Sequence, residues 1–129
     1  MYQPITENEN KIASIVMDVA FSIHRALGPG LLESVYKKCF CHELQQKQIP
    51  YLRQQMVPTH YKDLIVKDDL RLDLFIDDCF IVELKAQENY HPVWEAQLLS
   101  YLKLTVIWIG YLINFHVPLM KNGLKRIVL

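Results

Sequence analysis

Leu70-Arg71-Leu72-Asp73-Leu74-Phe75-Ile76-Asp77-Asp78-Cys79-Phe80-Ile81-Val82-Glu83-Leu84-Lys85 reads as two β-strands joined by a turn at Asp77-Asp78-Cys79. Apolar residues recur there at every second position, which is the strand period. On the first strand Leu70, Leu72, Leu74 and Ile76 should share one face, with Arg71, Asp73 and Phe75 on the other. On the second, Phe80, Val82 and Leu84 oppose Ile81, Glu83 and Lys85. A three-residue loop sets Ile76 across from Phe80 and Asp73 across from Glu83. Only an odd loop or a bulge places both acids on one face, because a one-residue slip turns every side chain over.

Two acids facing each other across a sheet repel, and Phe75 and Ile81 indicate that their face is partly covered. A cation should neutralise the pair, and two hard oxygen ligands suit Mg²⁺ or Mn²⁺. Lys85, two residues beyond Glu83 on the same face, then stands beside any water such an ion holds. The stretch fits equally a surface hairpin carrying an Asp–Lys or Glu–Lys pair of little energetic worth.

The chain has 129 residues, which predicts a single domain over 1–129. Its hydrophobic fraction of 51% is enough for a real core and excludes disorder. Lys+Arg and Asp+Glu both number 14, so a protein that merely coats nucleic acid by charge is excluded and any such contact must be local. The first ten residues lack the apolar core of a signal peptide, and the longest apolar run, Val106 to Ile113, is too short to span a bilayer. The expectation is a cytoplasmic protein with no membrane partner. Cys39-x-Cys41-His42 has no second ligand pair at zinc-site spacing, so Cys39, Cys41 and Cys79 are expected to be reduced thiols.

In chain order, Thr6-Glu7-Asn8-Glu9 is a capping-box pattern opening a helix with Ile12, Ile15, Val16, Val19, Ile23 and Leu27 on one stripe. It stops at Gly28-Pro29-Gly30, with His24 and Arg25 in the last turn, where cations favour the helix dipole. A second helix is predicted from about Leu31 to Gln48, with Leu32, Val35, Cys39 and Phe40 as its apolar stripe and Glu33 and Tyr36 beside it. Tyr51 to Tyr61 reads as one strand interrupted at Pro58, followed by a turn at Lys62-Asp63 and by Leu64 to Lys67. Beyond the central hairpin, His91-Pro92 opens a third helix of about ten residues. Gln97 and Tyr101 are four apart on it and share a face, with Trp94 on the same side. Val106 to Ile113 reads as a strand buried on both faces, Asn122-Gly123 as a turn, and Leu124 to Leu129 as a last strand. The order is that of an α/β domain.

Taken together these residues resemble the small bacterial and archaeal GxxExxY proteins. Gly30-Leu31-Leu32-Glu33-Ser34-Val35-Tyr36 matches the signature. The likeness runs on through Ile23 to Gly30, Leu72-Asp73-Leu74, Ile81 to Ala86, Glu95 to Leu102 and Leu112 to Phe115. That family belongs to the PD-(D/E)XK nuclease-like superfamily, so the resemblance implies a restriction-endonuclease-like core, a mixed central β-sheet flanked by helices. The superfamily's Asp and (Asp/Glu)-x-Lys are matched by Asp73 and Glu83-Leu84-Lys85. The exonuclease-like branch adds a helical Glu and Gln-x-x-x-Tyr, matched by Glu33 and by Gln97 to Tyr101. One departure is Val106, where such sequences often have Gly, a change expected to touch packing more than chemistry.

The resemblance implies a Mg²⁺- or Mn²⁺-dependent nuclease hydrolysing phosphodiester bonds, with DNA favoured over RNA as partner. Asp73, Glu83 and the Leu84 backbone carbonyl would hold the ion, with Glu33 beside it directly or through water. Lys85 would orient a water or stabilise developing charge. Gln97 would position Lys85 or a phosphate, Tyr101 would contact the nucleic-acid backbone, and Tyr36 is a further candidate for the cleft. The competing expectation is a non-catalytic module that keeps the fold to bind nucleic acid or a protein. A chain of this size offers little surface for gripping a duplex, so a homodimer or larger complex is also expected.

Overall fold

The first helix, α1 (Glu7–Leu27), starts on the expected capping box in the computed structural model, which describes residues 5–129. The Thr6 side chain accepts the Glu9 amide at 3.1 Å, and the Glu9 carboxylate accepts the Thr6 amide at 2.9 Å, so two otherwise orphaned donors are satisfied. Ile12, Val16, Val19, Ala20 and Ile23 form its buried stripe, while Leu27 is exposed. The helix closes at Gly28, and His24 Nε2 donates to the Val117 carbonyl at 2.7 Å, tying this end to a distant loop.

The second helix, α2 (Glu33–Gln46), buries Phe40 as expected but otherwise a different stripe from the one expected. Tyr36, Phe40, Cys41 and Leu44 are buried, whereas Leu32 and Val35 are exposed. The sequence offers two apolar stripes a fraction of a turn apart, and packing against the sheet selects the one with the larger rings. Tyr36 lies flat on Phe115 with centroids 4.3 Å apart, and these two anchor the helix.

Five strands form the main sheet in the order β1-β4-β5-β6-β7: β1 (Tyr51–Met56), β4 (Arg71–Ile76), β5 (Phe80–Lys85), β6 (Ile109–Asn114) and β7 (Leu124–Val128). The β5–β6 pair is parallel and the other pairs are antiparallel, so the sheet is mixed as expected. The predicted single strand from Tyr51 to Tyr61 is in fact two. Val57 still donates to the Leu70 carbonyl, but at Pro58 the chain leaves the sheet, and among the described residues β2 (Thr59–Tyr61) pairs only with β3 (Leu64–Val66). Proline has no amide with which to continue a ladder.

Helix α3 (Val93–Thr105) crosses over between the parallel strands β5 and β6. It covers one face of the sheet through Trp94, Leu98 and Leu102, while α1 and α2 cover the other, giving two cores. Gly110 on β6 allows the close approach of α3: a Cβ there would stand 2.8 Å from Leu98 Cδ1. Strand β6 is buried along its whole length, as a central parallel strand should be.

That strand begins three residues later than the apolar run implied, because α3 extends to Thr105 and ends on Val106 in the left-handed conformation (φ 56°, ψ 38°). A β-branched residue is strained there, and Val106 is 71% exposed, so its side chain recovers little by packing. The departure at Val106 therefore bears on backbone conformation rather than on packing. Val106→Gly should stabilise the fold by about 1 kcal/mol, relieving the left-handed strain. In a thermal melt this would appear as a rise of about 4 °C; an unchanged or lower melting temperature would refute it.

Candidate active site

The hairpin closes as the alternation demands. Ile76 pairs with Phe80, Phe75 with Ile81 and Leu74 with Val82, across the three-residue loop Asp77-Asp78-Cys79. Asp77 and Asp78 both take positive φ, 50° and 55°, a conformation Asp tolerates better than most residues.

Beyond Leu74 and Val82 the β4–β5 backbone pairing ends, although both strands continue. Here carboxylates replace the ladder. The Asp73 amide donates to Glu83 Oε2 at 2.8 Å, and the Leu84 amide donates to Asp73 Oδ2 at 2.9 Å. Each acid thus holds a backbone amide of the opposite strand, so the strands part without leaving either amide unpaired. On the other side of β4 the β1 pairing also skips Asp73, opposite Gln54, whose φ is 52°.

This interruption turns β4 over. Leu70 and Leu72 pack in the α3-side core together with Phe75, whereas Leu74 and Ile76 pack on the α1–α2 side. The expectation that Leu70, Leu72, Leu74 and Ile76 share one face is thus corrected: strict alternation fails at Asp73, where the strand leaves both neighbours. An acid at a break between two cores stands at the sheet's edge of contact with both helical layers.

Both layers reach it. From α2, Lys37 Nζ lies 2.8 Å from Asp73 Oδ1 and 3.8 Å from Glu33 Oε2. From α3, Tyr101 is half-buried, and its phenol is pushed up by burial and by the nearby Glu83 and Asp73 carboxylates. Lys85 Nζ sits 5.6 Å from the ring centroid of the buried Trp94, a cation–π contact that aims the ammonium. Glu83 is 7% exposed. Burial first, and then the charge of Asp73, push its carboxyl up to about 8, against the opposing pull of the Asp73 amide, Lys85 and Lys37.

The residues singled out by sequence therefore divide. Asp73 and Glu83 are tied together through opposite-strand amides, Lys85 lies near enough for its charge to act on Glu83, Tyr101 is close to both acids, and the Leu84 amide is held by Asp73. Glu33 turns its carboxylate to Lys37, and among the described residues no three His, Cys, Asp or Glu side chains gather as a ready metal cluster. Gln97 is on the exposed side of α3. Tyr36 is not a cleft residue. It is fully buried, and its hydroxyl donates to the Gly28 carbonyl at 2.6 Å and accepts the Leu31 amide at 3.2 Å. It pins the loop in which Gly30 takes φ 101°, so Tyr36 and Gly30 set where α2 begins.

Sequence reasoning missed Lys37, Trp94's hold on Lys85, and Asn114. Lys37 was detectable only as a cation one turn after Glu33. Asn114, buried at the end of β6, accepts the amides of Gln87 and His116 and donates to the Gln87 carbonyl, clamping the chain just after Lys85. Burial raises the Cys41 thiol, and burial with neighbouring acids raises Cys79 to about 11. No helix among the described residues is long and apolar enough to cross a membrane.

The raised Glu83 carboxyl has a thermodynamic consequence. The folded chain keeps a proton that the unfolded chain releases, so this group's contribution is complete below the ordinary carboxylate value of 4.5 and is lost as pH rises through about 8. Glu83→Gln stays neutral throughout. In chelator, its melting temperature relative to wild type should climb by about 4 °C or more between pH ~5 and ~8.5. A constant difference across that range would show that Glu83 titrates normally.

Neither the curated proteins nor the solved structures offer a significant match. A family model described as the PD-(D/E)XK nuclease superfamily, by contrast, matches residues 10–127. That span carries the parted hairpin with its Asp73, Glu83 and Lys85, and the chain belongs to the PD-(D/E)XK nuclease superfamily.

Proposed function

We propose that the protein is a Mg²⁺- or Mn²⁺-dependent phosphodiesterase acting on DNA, of the GxxExxY branch that Gly30 to Tyr36 suggests. The observation that carries this reading is the exchange of hydrogen bonds at Asp73 and Glu83. One oxygen of each acid is held by an amide, and the remaining carboxylate oxygens of Asp73 and Glu83 are the ones that would hold an ion. The donor set is hard: two carboxylates with the Leu84 carbonyl, and no thiol or imidazole among them, which fits Mg²⁺ or Mn²⁺. Glu33 stands one turn from Lys37 and would reach the ion directly or through water. When bound, such an ion lowers the pKa of a coordinated water and stabilises charge on a phosphodiester oxygen.

The chain's own residues do the rest. Lys85, aimed by Trp94, orients the attacking water and balances the charge that develops as it attacks. Asn114 holds the backbone immediately beyond Lys85, so this lysine stands on a rigid support. Tyr101 offers its hydroxyl to the nucleic-acid backbone, and Gln97, one turn earlier on the exposed side of α3, offers an amide to the same phosphates. With equal numbers of acidic and basic residues, affinity must come from this local set rather than from a basic surface. Strand β7 ends the sheet with one edge unpaired among the described residues, and a second copy pairing there would widen the grip on a duplex. Three free thiols are in keeping with a reducing cytoplasm.

The decisive experiment is cleavage of labelled single- and double-stranded DNA, and of RNA, with Mg²⁺ or Mn²⁺, comparing wild type with Lys85→Ala. Wild type should cut and the variant should lose about 10²–10⁴-fold in rate, with a melting temperature close to wild type. Equal cleavage by both, or none by either across the panel, would overturn the assignment; the latter outcome would favour a nuclease fold kept for binding.

A further inference from the structure

The Asp73 oxygen that the proposed function assigns to a divalent ion is already in use. Asp73 Oδ2 is held by the Leu84 amide, and Oδ1 is held at 2.8 Å by Lys37 Nζ. Both partners are shielded, with side chains 13% and 21% exposed, so this is a partly buried pair rather than a solvated surface contact. A second acid, Glu33, lies 3.8 Å from the same ammonium, one turn earlier on α2. The lysine thus has two acceptors, a near one at the junction of the strands and a more exposed one on its own helix.

We propose that Lys37 is a resident counter-ion of the centre, and that a divalent ion enters by displacing its ammonium from Asp73 Oδ1 toward Glu33. This rests on the reading of Asp73 as a metal ligand. Without the ion, Lys37 compensates an acid that faces Glu83 across the parted strands, which lets the hairpin keep its shape. With the ion, Asp73 gains a stronger cation and Lys37 retires to Glu33, which then meets the ion only through water, so no charge is left buried and unpaired. The exchange makes ion affinity lower than two shielded carboxylates would otherwise provide. It also places a mobile positive charge on α2 at the mouth of the site.

The pair is tested by isothermal titration of Mn²⁺ and Mg²⁺ into wild type, Lys37→Met and Lys37→Arg, with melts in chelator alongside. Lys37→Met should bind Mn²⁺ at least tenfold more tightly than wild type while melting lower in chelator, since it frees Oδ1 and strips Asp73 of its partner. Lys37→Arg should stay at or below the wild-type affinity. In wild type, diamagnetic Mg²⁺ should shift the Lys37 side-chain ¹³Cε resonance as the ammonium moves. Equal or weaker binding by Lys37→Met, or a Lys37 resonance that ignores saturating Mg²⁺, would overturn the exchange while leaving the metal centre standing. Absence of binding by every variant would overturn the exchange together with the metal reading.

Discussion

Two hydrogen bonds hold the candidate site: the Asp73 amide to the Glu83 carboxylate, and the Leu84 amide to the Asp73 carboxylate. A β-ladder cannot simply stop in the interior, because each unpaired amide there would cost on the order of 1–3 kcal/mol. Side chains that bond across the gap remove that cost and hold two acids together at the same stroke. The turn-over of β4, with Leu72 on one side of the sheet and Leu74 on the other, follows from the same break.

Once the acids are there, electrostatics dictates their neighbours. Burial, and then the charge of Asp73, disfavour the ionised form of Glu83, whose carboxyl is raised accordingly. Positive charge arrives from separate elements, with Lys37 on α2 and Lys85 on β5, the latter steered by Trp94 of α3. The supports lie farther out: Tyr36 fixes the loop that launches α2, and Asn114 fixes the chain leaving β5. The Gly-x-x-Glu-x-x-Tyr stretch thereby acquires a physical meaning, since its Gly30 and Tyr36 shape the backbone while Glu33 and the adjacent Lys37 face the charge cluster.

Much of this was legible beforehand where local rules dominate. The capping box at Thr6 and Glu9 and the pairing of Ile76 with Phe80 depend on neighbours a few residues away, and both were readable. Elements whose limits depend on distant packing were not. Pro58 signalled an interruption in the strand from Tyr51, yet nothing local said that the chain would leave the sheet there. The apolar run from Val106 looked like strand throughout, but α3 takes its helix through Thr105 and leaves Val106 as a strained cap. On α2, Leu32 and Val35 were as apolar as Tyr36 and Leu44, and only contact with the sheet decides which stripe is buried.

By itself the sequence determined the α/β order of elements and the register that sets Ile76 against Phe80, because periodicity and turn length are properties of short segments. It also singled out Asp73, Glu83 and Lys85, since their spacing is carried on two adjacent strands. Tertiary structure alone decided that the ladder opens at those acids and that Lys37 reaches Asp73 from another layer. It also decided that Tyr36 serves the core. Those outcomes turn on which donors and charges are brought together by packing, and sequence separation does not encode that distance.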